Sequence, residues 1–263
     1  MTSVWREVGD RVWVRRYAFL DQTIGVIGGE DGLVVIDTRA THPLADELRA
    51  DMRALGRHRL AAVVNTHGHW DHAFGNARFL PTPIWGHVRC ATMILERGDE
   101  MRARLMPEFP DEAFESVELT PPSELFEESA TLDLGDRQVE LRYLGRGHTD
   151  NDIVITVPDA SVLFAGDLLE NAPAPAFGDS YPIAWVDTGR ALTGMVEGVV
   201  VPGHGDPFDR RFAADQVDQL AVVAELGRAV AGGAIGLDEA IRRSPFPAEP
   251  TAEAIDRVWL ELE

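Results

Sequence analysis

NTHGHWDH, residues 65–72, places three histidines and an aspartate within six positions, directly after the apolar run RLAAVV (59–64). His67 and His69 are two apart, so in extended backbone they point the same way. Asp71 and His72 follow where the chain turns into a helix, and they face a second point. One metal ion cannot comfortably take all four groups from so short a segment, whereas two ions sharing a bridging group can. Imidazole and carboxylate donors suit zinc, and also iron or manganese; no thiolate is among them.

Three later segments repeat the pattern of a ligand-type side chain at the end of an apolar run. GRGHTDND carries His148, VLFAGD ends on Asp167, and VPGHGD carries His204. Strand ends are rigid, and the loops there can aim side chains into a common cleft. Gly68, Gly147, Gly166, Gly203 and Gly205 flank these residues and let the backbone turn tightly beside an ion. The remaining histidines, His42, His58 and His87, stand outside any such pattern and read as ordinary core or surface residues.

Composition narrows the partners. The formal charge is −20, and all 24 basic residues are arginine. A surface this acidic repels a phosphate backbone, so a nucleic-acid partner is disfavoured. Without lysine there is no Schiff-base chemistry. The single cysteine, Cys90, excludes an intramolecular disulfide and a multi-cysteine metal site, and reads as a buried structural thiol. No apolar stretch reaches the length of a membrane span, and MTSVWREVGDRVWVRR at the start has no apolar stretch of signal-peptide length, so a cytoplasmic protein with a small-molecule substrate is expected. The sequence does not fix the oligomeric state.

The 263 residues read as one domain, 1–263, in two αβ halves of roughly 1–115 and 125–263. Strands are expected over 11–18, 22–29, 32–38 and 59–66, with a short one near 83–87. In the second half they are expected over 130–136, 138–145, 152–158, 161–166 and 198–205. Leu44, Leu48, Met52 and Leu55 recur at helical intervals between Pro43 and Gly56. Another helix, then one around Cys90, is expected within 73–97, and 181–195 is helical. The charged, proline-containing segment 98–128 reads as an irregular or short-helical insertion, a candidate lid. This order permits two sheets face to face with helices outside.

THGHWDH, GRGHTDND, FAGD and PGHG, in this order and at these intervals, resemble the motifs of the metallo-β-lactamase superfamily over roughly residues 10–210. The resemblance implies an α/β fold: a four-layer αββα sandwich of two mixed sheets with a dinuclear metal site, two Zn²⁺ per chain, at one edge. Carried over residue by residue, one ion takes His67, His69 and His148, and the other takes Asp71, His72 and His204. Asp167 bridges them. Asp37, ending VVID, matches the family's early aspartate, with a turn or helix-capping aspartate as the plainer reading. The implied activity is hydrolysis by a bridging hydroxide, since two divalent ions lower the pKa of a shared water from about 15.7 toward about 7. Asp71 is the candidate that orients this hydroxide and carries a proton.

Departures from the family pattern bear on the substrate. β-Lactamases with a cysteine on the second metal carry it where Asp167 stands, and a lysine for the drug's carboxylate where Glu170 stands. A true antibiotic-resistance enzyme is therefore disfavoured. The glyoxalase II branch uses basic residues in its C-terminal helices, a poor match to 205–263 with six arginines among many acids. An ester, lactone or thioester hydrolase remains. Trp70 is a candidate pocket wall. Tyr181 is a candidate oxyanion donor and Arg146 a candidate anchor for a substrate acid, against plainer readings as core aromatic and ion-pair partner. Phe177 and Trp185 read as wall or core in the loop and helix that follow. Two other functions stand beside hydrolysis: a mononuclear iron enzyme of the same fold that oxidises sulfur compounds, and a non-catalytic, metal-stabilised binding module.

Overall fold

The computed structural model describes residues 4–56, 58–172 and 174–263; Pro173, inside the expected pocket-wall loop 172–182, lies outside the described residues. The chain begins with four antiparallel strands, β1 (Arg6–Gly9), β2 (Val12–Arg16), β3 (Thr23–Gly29) and β4 (Gly32–Ile36). Helix α1 (His42–Met52) starts on Pro43 and returns the chain so that β5 (Leu60–Val64) lies parallel to β4. The short helix α2 (Trp70–Ala73), strand β6 (Ile84–His87), helix α3 (Val88–Glu108) and strand β7 (Glu124–Phe126) complete a seven-stranded sheet in the order β1 to β7. The second sheet is antiparallel from β8 (Ser129–Asp133) through β9 (Gln138–Tyr143) and β10 (Ile153–Val157) to β11 (Val162–Gly166). Helix α4 (Pro182–Met195) then crosses over, and β12 (Val199–Pro202) joins parallel to β11. Helices α5 (Arg210–Ala231), α6 (Leu237–Arg243) and α7 (Ala248–Leu262) follow.

The layering follows from the period of two along each strand. In β4, Leu33 and Val35 pack outward with Ala45, Leu48 and Met52 of α1, while Val34 and Ile36 face inward. In β11, Leu163 and Ala165 pack with Leu192 of α4 and Val217 of α5, while Val162 and Phe164 face inward. The inward residues of both sheets form one apolar layer, from Val12 and Val14 of β2 to Leu141 of β9 and Val201 of β12. Strands buried on both faces read as continuous apolar runs, which is what GLVVI and SVLFAG are. The architecture is therefore helix, mixed sheet, mixed sheet, helix. At Gly25 of β3 any side chain would overlap the Phe164 ring, so the sheets meet there without a methyl group between them.

Two expectations need correction. Residues 98–128 are not one irregular insertion: 98–108 continue α3, on which Gly98, Met101 and Leu105 make a buried stripe. Only the stretch between α3 and β7 is irregular, apart from a 3-10 turn at Phe114–Ser116. The helix expected soon after residue 72 is only the four residues of α2 followed by a 3-10 turn at Asn76–Phe79. Cys90 is fully buried on α3, and burial pushes its thiol well up, as a structural thiol requires. Among the described residues, no helix is long and apolar enough to cross a membrane.

Candidate metal centre

Every residue of the sequence pattern stands just past a strand's C-terminal end. β5 delivers His67 and His69, and α2 adds Asp71 and His72 one turn later. The β9–β10 connection carries His148, β11 leads into Asp167, and β12 into His204. These seven residues converge as two groups. His67, His69, His148 and Asp167 form one, and Asp71, His72, His204 and Asp167 the other; within each, the donor atoms lie within 4.8 Å of one another. Asp167 belongs to both. Its Oδ2 is 3.7 Å from His67 Nε2, 3.6 Å from His148 Nε2, 3.3 Å from His72 Nε2 and 3.4 Å from His204 Nε2. Any side chain at Gly203 would overlap the Asp167 carboxylate, so that position must be glycine for the aspartate to sit where it does.

The outer atoms of the imidazoles decide what the centre accepts. His72 Nδ1 lies 2.8 Å from Asp37 Oδ2, His204 Nδ1 2.8 Å from the Leu20 carbonyl and His148 Nδ1 3.2 Å from the Ala176 carbonyl. His69 Nε2 lies 3.0 Å from Asp179 Oδ1. His67 Nδ1 meets Thr66 Oγ1 at 3.1 Å, and that hydroxyl donates to Asp37. Each outer nitrogen thus faces an acceptor for its proton, which leaves the inward nitrogen to bind a cation. His69 Nδ1 and His148 Nε2 are 2.8 Å apart. His67 Nε2 is buried without any hydrogen-bond partner. Five nitrogens and two carboxylates turned inward form a cage that takes up positive charge and so fits cations.

The acids express the same demand. Burial disfavours an imidazolium at His72, but the charges of Asp167, Asp71 and Asp37 outweigh it and hold the group well above the ordinary histidine value. His204 is buried too, and Asp167 and Asp71 raise it likewise. Against their own burial, Asp71 and Asp167 are held well below the carboxylate range by the neighbouring imidazoles, His72 foremost. His67 goes the other way: burial first, then the charge of His72, pushes it well down. Burial and then His69 bring His148 down to about 4.

Further residues support the cage. Asp37 is buried, adopts a left-handed φ of 65°, and accepts from the Thr66 N–H as well as from its hydroxyl. It is a support for the metal loop and not a helix cap, since the residue preceding α1 is Thr41. A non-glycine residue in that conformation persists only where its surroundings hold it, here three bonds to one carboxylate. Asn151 Oδ1 accepts from the Gly68 N–H at 2.8 Å and so ties the GHTDND loop to the His67–His69 turn. Asp179 and Asn151 were invisible to sequence reasoning, because their partners lie more than 80 positions away.

A cavity of about 640 Å³ opens onto the cage, and His69, Asp71, His148, Asp167 and His204 line it. Trp70 is among the lining residues and packs against Phe19, Phe109 and Phe114. Glu170, 5% exposed, lines it too. Tyr181 and Arg146 do not. The Tyr181 ring stacks with the guanidinium groups of Arg146, 4.8 Å from its centroid, and Arg257, 5.5 Å away, and these cation–π contacts occupy all three side chains. Phe177 and Trp185 are fully buried core, with the Trp185 indole donating to the Leu168 carbonyl. His42 accepts from the Glu118 N–H and His87 stacks on Tyr143, both away from the cage.

Residues 18–204 match the model of the metallo-β-lactamase superfamily. The chain belongs to this superfamily. It is 27% identical over 201 residues to the metallo-β-lactamase type 2 of Bacillus cereus, covering 74% of this chain and 71% of that one. The Bacteroides fragilis metallo-β-lactamase type 2 is 33% identical over a shorter stretch of 93 residues, 34% of this chain and 37% of that one. In structure, the sec-alkylsulfatase Pisa1 of a Pseudomonas species superposes with a TM-score of 0.79 at 17% identity; the match takes in 98% of this chain but only 50% of the sulfatase. A metallo-β-lactamase from Pontibacter korlensis gives a TM-score of 0.65 at 20% identity over 83% of this chain and 99% of its own. The metallo-β-lactamase fold and a His/Asp cluster able to bind metal are thus common ground between this chain and its superfamily.

Proposed function

We propose that this chain is a dinuclear-metal hydrolase acting on an ester, lactone, thioester or related bond of a small molecule. One observation carries the reading: two donor groups share Asp167, and both open onto the same cavity. His67, His69 and His148 would hold one divalent ion, and Asp71, His72 and His204 the other, with Asp167 between them; zinc suits these donors. When bound, such a pair supplies an activated water near neutral pH and polarises the scissile carbonyl.

The chain's own residues do the rest. Asp71, held well below the carboxylate range in the metal-free chain by His72 and His204, would orient the attacking water by accepting a hydrogen bond from it. Leu20, Trp70 and Met101 give the cavity an apolar surface for a hydrocarbon group. Arg97, which also lines it, is engaged by Asp179. Burial and then the charge of Asp167 push Glu170 up to about 8. Protonated or ionised, it offers a carboxylate-bearing substrate no cation. At that position a substrate carboxylate is disfavoured, which supports uncharged substrates over β-lactam drugs, although relatives by sequence are β-lactamases and Arg104 lines the cavity elsewhere.

The test is a panel of uncharged esters, lactones and thioesters, with β-lactams and sulfate esters beside them, incubated with the zinc-loaded chain. Hydrolysis of an uncharged member is expected. In Glu170→Lys, selectivity should move toward a carboxylate-bearing ester by about 10–100-fold, since a charged hydrogen bond contributes about 1.5–3 kcal/mol. Silence across the panel with metal bound would support a binding module. One iron per chain with oxygen-dependent turnover would establish the sulfur-oxidising reading.

A further inference from the structure

Asp179 ties the cage to the C-terminal helix α7, which lies beyond the residues matched by the superfamily model. Asp179 stands in the loop before α4. Its Oδ1 is 3.0 Å from His69 Nε2, and its Oδ2 is 3.2 Å from Arg97 on α3. That loop is bonded along its length to the last helix. On α7, Glu253, Arg257 and Glu261 recur every four residues and so form one stripe. Glu253 Oε2 accepts from the Phe177 N–H at 3.2 Å. Arg257 donates to the Ser180 carbonyl at 2.8 Å and the Asp179 carbonyl at 3.3 Å. Glu261 accepts from the Ile183 and Ala184 N–H groups at 2.7 and 3.2 Å.

Those last two donors are orphan N–H groups of α4's first turn, whose own N-cap, Tyr181, supplies no side-chain bond. A carboxylate there is also favoured by the helix dipole. One stripe of α7 therefore caps α4, holds the loop backbone and fixes the residue that grips His69.

We propose that Asp179 is a positioning residue for His69, and that the C-terminal helix α7, through Arg257 and Glu261, holds Asp179 in place. A histidine can present a lone pair at Nδ1 only while its proton stays on Nε2. Asp179 accepts that proton's hydrogen bond and sets the ring's orientation, and Arg97 and the α7 stripe fix Asp179 in turn. The effect belongs to one side of the cage, because the other imidazoles are held by Asp37, Thr66 and backbone carbonyls. This inference rests on the dinuclear reading for its metal consequence, but not for the hydrogen bond itself.

The test uses the full chain, stripped of metal and titrated with zinc against a chromophoric chelator. Asp179→Ala should weaken one of two zinc ions about 10–100-fold and leave the other unchanged, as loss of a ligand's partner does elsewhere. Asp179→Asn serves if the alanine variant does not fold. Arg257→Ala and Glu261→Gln, which touch no ligand, should weaken the same ion by a smaller factor. Equal weakening of both ions, or of neither, overturns the role of Asp179; unchanged affinity in both α7 variants overturns that of the helix. The second readout needs no metal. In ¹⁵N-labelled metal-free protein, the His69 Nε2 proton should be slow to exchange, and it should be lost in Asp179→Ala. Its absence from the unaltered chain overturns the proposal. A protein that shows this proton but binds no zinc would retain Asp179's role while the hydrolase reading falls.

Discussion

Protons and metal ions compete for the same atoms at His72 and His204. With no ion bound, burial works against the imidazolium at each, yet Asp167, Asp71 and, for His72, Asp37 keep both groups well above the ordinary histidine value. The acids thus draw protons onto this pair, and an ion entering the Asp71–His72–His204 side must displace whatever proton the pair holds. Loading on that side should therefore weaken as pH falls and strengthen as it rises, by up to about tenfold in affinity per pH unit for each proton displaced. The opposite side should respond less, because burial pushes His67 and His148 down, and only His69, raised by Asp179 against its own burial, competes there for a proton. Chelator competition at several pH values reads both slopes. Equal slopes would mean that the acids do not divide the cage electrostatically as described.

Among the elements, α1 gives a control for effects that are structural only. Leu48 is fully buried between that helix and the first sheet, and α1 contributes no ligand. Leu48→Ala should cost about 2–5 kcal/mol, read as a lower denaturant midpoint, and leave zinc affinity unaltered. A change in affinity would show that the outer helix layer tunes the cage. The same scale explains what the sequence made legible. β3, β4, β5, β10 and β11 were readable because strands buried on both faces are continuous apolar runs. The candidate ligands His67, His69, Asp167 and His204 were readable because each follows such a run beside a glycine, and Asp71 and His72 because they crowd the same short turn. β1 and β7 were not, since they are edge strands of only four and three residues, too short to show a pattern. The charge and Pro107 of α3 hid its second half, although the proline lies in the last turn, where little of the helix follows it. The placing of Tyr181 and Arg146 outside the cavity lining was not legible for another reason: the Tyr181 ring stacks with Arg146 and Arg257, residues far apart in sequence, and no local pattern encodes that.

At the scale of the whole molecule, the cage is a junction between the two halves. His67, His69, Asp71 and His72 follow a strand of the first sheet, whereas His148, Asp167 and His204 follow strands of the second. Each donor group draws from both, so an ion on either side cross-links the sandwich at its rim. Without ions, the rim contains His67 Nε2 unpartnered in the interior and acids balanced only by protonated imidazoles. Metal removal should therefore destabilise the fold as well as abolish turnover. An ion that binds only the folded chain stabilises it by about 2.7 kcal/mol at a free concentration of 100 times its Kd. For a chain of this size that is about 5–10 °C in Tm per site. Stripping with a chelator and reloading with zinc should move Tm down and back by that amount. Hydrogen exchange should localise the loosening to the strand ends at 65–72, 147–152, 166–168 and 203–205, while β3 and β10 stay protected. An unchanged Tm, or loosening spread evenly through both sheets, would show that the halves are held by the apolar layer between them alone.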